Sequence, residues 1–192
     1  MAHQKLLNSF GQLMSNAHTI RELTEADLSM VLTWRNHLSV RTFMLTQHEI
    51  SLQEHRSWFE SVKHDKNRKQ MLVFDGSEPI GFVQFNPVSA GGIANWGFYV
   101  RPDAPKGSGT KLGNAALTYA FQDLGLHKVC GQAIESNAAS IAFHQKLGFI
   151  EEGRLRDQQQ INGQYQTLVC FGLLANDWHE SQPTEKEKNA TN

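Results

Sequence analysis

Residues 96–124 read WGFYVRPDAPKGSGTKLGNAALTYAFQDL, and the way this stretch folds decides the rest of the chain. It reads as a strand ending Phe98-Tyr99-Val100, a turn rich in Pro and Gly, and a helix whose first turn lies inside Lys106-Gly107-Ser108-Gly109-Thr110-Lys111. Glycine tolerates positive φ and lets a ligand approach the backbone closely. Such a turn is therefore expected to point the amides of Gly107, Ser108, Gly109 and Thr110 outward. The helix start adds unpaired N–H groups and a partial positive charge, and Lys106 and Lys111 add full ones. The group that fits is a pyrophosphate. The same turn also serves plain strand-to-helix packing. It lacks the Gly-Lys-Ser/Thr end of a P-loop, which speaks against nucleotide hydrolysis, and Gly107, Gly109 and Gly113 leave too long a last step for a full GxGxxG.

A second stretch, residues 136–149, SNAASIAFHQKLGF, gives the turn its meaning. Lys106-x-x-Gly109 after the strand, followed by Asn137-x-x-Ser140-x-x-Phe143-His144-x-Lys146-x-Gly148-Phe149, resembles the acetyl-CoA signature of the GNAT superfamily of N-acetyltransferases. The family's usual turn is Arg/Gln-x-x-Gly-x-Gly/Ala, and this chain departs from it twice, at Lys106 and at Lys111. The resemblance implies an α/β (α+β) fold with a mixed, mostly antiparallel sheet of about seven strands and helices on both faces. It implies acetyl-CoA as co-substrate and no metal. Pantetheine would run beside Phe98, Tyr99 and Val100, the pyrophosphate would sit on residues 106–111, and Asn137 and Ser140 would contact the cofactor as well as capping and solvating their helix.

At 192 residues, 40% hydrophobic and 19% charged, the chain is long enough for one well-buried core and too short to need two domains. The expected layout is an extension over residues 1–17, an acetyltransferase domain over 18–178 and a polar tail over 179–192, with Trp178 as the last anchor. A net charge of −1 gives no footprint for nucleic acid, and the nine histidines are scattered rather than spaced as metal ligands. Cys130 and Cys170 lack a CxxC context and read as reduced core thiols. Apolar runs fall short of a membrane span, so the expectation is a soluble cytoplasmic protein; a homodimer is implied only by the habit of many GNAT enzymes.

Residues 19–23 read as a first strand, and Thr24-Glu25-Ala26-Asp27 as a capping box. The helix after it places Leu28, Val31, Leu32 and Arg35 on one stripe, so the guanidinium stands at the end of an apolar face and needs an acidic or ligand partner. Ser51-Leu52-Gln53-Glu54 reads as another capping box, before a helix with Leu52, His55, Phe59 and Val62 on one face. His55 is there either a satisfied core residue or a site residue. Hairpins are expected at Asp75-Gly76 and Asn162-Gly163. The helix after Asn137 carries Ala139, Phe143 and Leu147 as its packing stripe and Asn137, Ser140 and His144 on another.

Residues 152–157 and 162–165 resemble the GNAT branch of ribosomal-protein and nucleotide-aminosugar acetyltransferases. Trp34-Arg35-Asn36-His37 with His48-Glu49-Ile50-Ser51-Leu52-x-x-His55 and Trp58-Phe59 looks most like the aminosugar enzymes of pseudaminic acid synthesis. That implies a nucleotide-sugar acceptor, with Arg35, Met44, His55, Gln84, Asn86 and Trp96 as candidate contacts. The alternatives are a protein N-terminal or ribosomal-protein acetyltransferase, and a non-catalytic acetyl-CoA-binding module. Where many GNAT members carry a tyrosine that protonates the leaving thiolate, this chain has His144. Its ordinary pKa near 6.5 suits an acid, and the competing reading is that it packs or touches pantetheine. No carboxylate stands out as the base.

Overall fold

The computed structural model describes residues 19–181; the expected extension and the tail beyond residue 181 lie outside them. The order is β1 (Thr19–Glu22), a 3₁₀ turn (Glu25–Asp27), α1 (Leu28–Asn36), α2 (Leu38–Arg41), α3 (Leu52–Val62), β2 (Lys69–Asp75), β3 (Glu78–Asn86) and β4 (Ile93–Val100). Then come α4 (Ser108–Thr118), which runs on as one π-helical turn (Tyr119–Asp123), β5 (Lys128–Ile134), α5 (Ala138–Lys146), β6 (Ile150–Ile161), β7 (Gln164–Leu174) and α6 (Ala175–Ser181). The seven strands form one sheet in the order β1-β2-β3-β4-β5-β7-β6. All pairs are antiparallel except β4 with β5.

Side chains alternate across the strands, so each face of the sheet collects its own core. One face gathers Val83, Phe85, Ala94, Trp96, Val129 and Ala133 under Leu112, Ala116 and Leu117 of α4. The other sets Leu72 and Phe82 against Leu28, Val31 and Trp34 of α1 and Phe59 of α3. At the entrance to α1 the capping box forms as expected. The Thr24 amide and hydroxyl both donate to Asp27 Oδ2, at 2.9 and 2.7 Å, and Arg21 grips both carboxylate oxygens at 2.8 and 2.9 Å.

The feature that positions the site is the β4–β5 pair. It holds register only from Ile93 to Asn95, opposite Lys128 to Cys130, and then parts. Beyond Asn95, β4 stays paired to β3 as far as Val100, and β5 stays paired to β7 as far as Ile134. A V therefore opens inside the sheet, its walls carrying backbone groups turned toward each other without a ladder between them.

Three expectations shift. α5 does not bury Ala139, which is exposed; its inward stripe runs through Ser140, Phe143, His144 and Leu147, with His144 the most buried of them. In α3, Leu52 is 42% exposed, and the apolar face begins at His55. The helix Ala175–Ser181 runs three residues into the stretch expected as tail, with Trp178 packed near Phe121 as its anchor.

Candidate active site

One cavity of about 990 Å³ runs from the mouth formed by the α2–α3 loop, past β3 and β4, through the V, to the start of α4 and the side of α5. At its α4 end, Gly107 caps the helix with φ 95°, a conformation that a residue with a Cβ rarely adopts, and the space where a Cβ would stand is empty. The amides of Gly107, Gly109 and Thr110 take no carbonyl partner within the turn among the described residues, whereas Ser108 N donates to Pro105 O at 3.1 Å. Ser108 is buried and its amide is not on offer, contrary to expectation.

Lys111 is a second correction: its ammonium lies 2.5 Å from Asp75 in the β2–β3 hairpin, which directs it away from the turn. Lys106 is exposed beside the turn, and Lys146 of α5, which sequence reasoning passed over, reaches Thr110 Oγ1 at 3.0 Å. At the start of α5, Asn137 Oδ1 accepts from Ser140 N at 3.1 Å, so Asn137 is a true cap, and both residues line the cavity.

Beneath the V lies a cage of rings. Trp96, Phe98, Phe143, His144, Phe149 and Phe171 pack with centroid separations of 4.6 to 6.3 Å. His144 is 1% exposed, with Nδ1 2.8 Å from Ser140 O and Nε2 3.1 Å from Trp96 Nε1. An indole N–H only donates and a carbonyl only accepts, so the ring is the neutral tautomer with its proton on Nδ1. Burial pushes its pKa below the ordinary 6.5. Both nitrogens are engaged and no proton faces the V. The geometry therefore supports packing and positioning, and the acid role expected for His144 loses its physical basis. A Cβ at position 131 on β5 would collide with His144 Nε2 and Trp96 Nε1, so Gly131 is what lets these two side chains meet.

The acceptor side of the cavity is built on the opposite face of the sheet, from Phe82, Gln84, Asn95, Gly97, Tyr99, Cys130 and Gln132. Across it stand Arg35 from α1, His55 and Trp58 from α3, and Met44 from the intervening loop. His55 stacks on Trp58 at 5.1 Å, Trp58 meets Phe82 edge-on at 6.2 Å, and Phe82 stacks on Tyr99 at 5.2 Å, a continuous aromatic wall. Arg35 Nη2 donates to Thr46 O at 2.7 Å and so pins the loop, while Nη1 is buried without a partner. The reciprocal bonds of Asn36 with Ile50, at 2.8 and 2.9 Å, pin the same loop further along. Ser51 caps α3, but Glu54 turns to His48 at 2.9 Å rather than closing the second capping box.

Of the expected acceptor contacts, Arg35, Met44, His55, Gln84 and Trp96 line the cavity, Trp96 from the cage side; Asn86 does not line it. Cys130 and Cys170 are half-buried rather than core, and Cys130 lines the cavity. Among the described residues no cluster of His, Cys, Asp or Glu is arranged to hold a metal ion, and no helix is long and apolar enough to cross a membrane.

The family model for the acetyltransferase (GNAT) domain matches residues 18–150. The chain belongs to the GNAT acetyltransferases. It is an acetyl-CoA-dependent N-acetyltransferase, which removes the reading of a non-catalytic module. The chain is 30% identical over 128 residues to acetyltransferase PseH of Campylobacter jejuni strain NCTC 11168, covering 67% of this chain and 80% of that protein. It is 27% identical over 164 residues to spermidine N(1)-acetyltransferase of Vibrio cholerae, covering 84% and 95%. The crystal structure of the Vibrio cholerae spermidine enzyme with CoA and spermine superposes with a TM-score of 0.77 at 26% identity, over 84% of this chain and 98% of that one. GNAT enzymes use acetyl-CoA, and the residues here fit it: an open glycine turn with free amides at one end, and a parted sheet at the other. Its thioester supplies an activated acetyl group and a leaving thiolate.

Proposed function

We propose that this GNAT enzyme acetylates a primary amine on an anionic small molecule, specifically the 4-amino group of a UDP-linked 4-amino-4,6-dideoxy-N-acetylaltrosamine on the route to pseudaminic acid. Gly107, Gly109 and Thr110 offer amides to the pyrophosphate of acetyl-CoA, with Lys106 and Lys146 alongside. The parted stretch of β4 at Phe98, Tyr99 and Val100 receives pantetheine and offers a backbone N–H to the oxyanion, and Asn137 and Ser140 lie against its other side. His144 holds Trp96 in place as part of the floor.

The observation that carries the acceptor class is the charge of the cavity wall. Among the described residues Glu54 is the only carboxylate lining the cavity, and it is paired with His48, while Arg35 brings a buried guanidinium nitrogen with no partner. A polyamine carries several ammonium groups and needs carboxylates to meet them. A diphosphate needs the reverse, and the aromatic wall suits a base or sugar face.

Thiol release from acetyl-CoA, compared across the UDP-4-amino sugar, spermidine and a set of N-terminal peptides, tests this reading. Release with the sugar alone is the expected outcome. Release with spermidine alone would overturn the anionic acceptor, and release with peptides alone would move the assignment to protein acetylation.

A further inference from the structure

The acceptor side of the cavity meets the parted sheet at Gly97. This residue comes just after β4 leaves β5 at Asn95, and it has no side chain to stand between the acceptor space and the V. Gln84 of β3 lies opposite Gly97 in the antiparallel register, and its carboxamide hangs over this opening: a Cβ at position 97 would stand 3.0 Å from Gln84 Nε2. Among the described residues that carboxamide makes no hydrogen bond, yet it lines the cavity and keeps surface open to it. A partner within the sheet goes unused. Gln70, paired with Gln84 across β2 and β3 and so on the same face, is 8% exposed, and its Oε1 is buried without a hydrogen bond. Leaving a buried oxygen unmet is costly, and a bond from Gln84 would have met it; the fold instead turns the Gln84 amide to the cavity.

We propose that Gln84 orients the attacking nitrogen: its Oε1 accepts one N–H of the acceptor amine, bound as the free base, and leaves the nitrogen lone pair aimed past Gly97 at the acetyl group. Neither end of the carboxamide is bonded, so a half-turn of its last torsion, which is broad and two-fold, sets Oε1 where Nε2 stands. A carboxamide accepts a hydrogen bond from an amine but cannot balance an ammonium. Arg35 brings positive charge to the same space, and the Glu54 carboxylate is turned to His48 at 2.9 Å, so the wall favours the uncharged amine, whose lone pair the reaction needs. The ammonium proton is left in solvent before binding. The N–C bond then forms as the C–S bond breaks, and the proton that the nitrogen sheds ends on the departing sulfur through water, so no further reactant is consumed. The inference rests on the acetyltransferase chemistry and not on which acceptor is used.

Two measurements on the full chain test it. In ¹⁵N–¹H NMR of the ligand-free protein, the side-chain amide of Gln84, assigned through its backbone, is expected to exchange with water as an unbonded amide does. Slow exchange would place it in a bond to Gln70 and overturn the proposal. Kinetics use whichever of the sugar, spermidine and the peptides releases thiol. Gln84→Met keeps the side chain's length without its amide, and is expected to lower kcat/KM for the acceptor about 10- to 10²-fold, mostly in kcat, with KM for acetyl-CoA nearly unchanged. Gln84→Glu sets a carboxylate over Gly97 that holds the ammonium form, so the acidic limb of its kcat profile is expected to move up by about one pH unit. A kcat within about threefold of wild type in Gln84→Met, or an acidic limb that stays in place in Gln84→Glu, overturns the proposal. Should the variants fail to fold, the exchange of the wild-type amide decides.

Discussion

Single side chains decide what this cleft can hold and where its protons go. Arg35 divides its guanidinium between the Thr46 carbonyl and the cavity, so Arg35→Ala is expected to raise the acceptor's KM at least about tenfold and to leave the KM of acetyl-CoA nearly unchanged. An unchanged acceptor KM would assign Arg35 to the loop alone. Trp96→Phe keeps an aromatic ring in the cage, leaves part of the indole's space empty and strips His144 Nε2 of its donor. A buried acceptor left unmet costs about 1–3 kcal/mol, to be read as a lower denaturation midpoint. Arg35 was legible in the sequence because a cation at the end of an apolar helical stripe has to be explained. The Trp96–His144 bond was not, since 48 residues separate its partners and its condition, a glycine across the gap at position 131, has meaning only in three dimensions.

Among elements, those bounded by glycine and asparagine turns came out where the sequence put them. Asn162 and Gly163 both take positive φ at the β6–β7 turn, and Gly76 does so at β2–β3, because few other residues turn the chain that way. The stripe of α5 was misread because helical spacing says which residues share a face and not which face the sheet covers. The 42–51 loop, which walls the acceptor side, has no periodicity to read; Asn36 and Arg35 hold it from a neighbouring helix. The entrance to α1 carries its own prediction. Hydrogen bonds from Arg21, then from Thr24, hold the Asp27 carboxyl down at about 2. A pKa depressed on folding stabilises the native state above the unfolded value, near 4, and that contribution is lost as pH falls toward about 2. Arg21 is about half exposed, so Asp27→Asn is expected to cost about 1–2 kcal/mol at pH 7 and little at pH 2.5, read from chemical denaturation at the two pH values.

At the scale of the molecule, the two buried histidines act together. His55 and His144 both have their pKa lowered by burial, so below pH 6.5 the unfolded chain takes up protons that the native state refuses. Stability is expected to be full above pH 6.5 and to decline as pH falls below it, with Tm dropping by roughly 2–4 °C for each kcal/mol lost. His144→Phe should reduce that slope, and a Tm equal at pH 7.5 and 5.5 would show that neither ring resists protonation. The parted β4–β5 pair reaches beyond catalysis. An interior gap lined with unpaired peptide groups is an edge that the sheet has not closed, and any extended segment of suitable length can dock there as a counterfeit strand. Acetyl-CoA then protects as well as reacts: preparations stripped of it should be the ones that cluster on concentration, and restoring it should keep them dispersed.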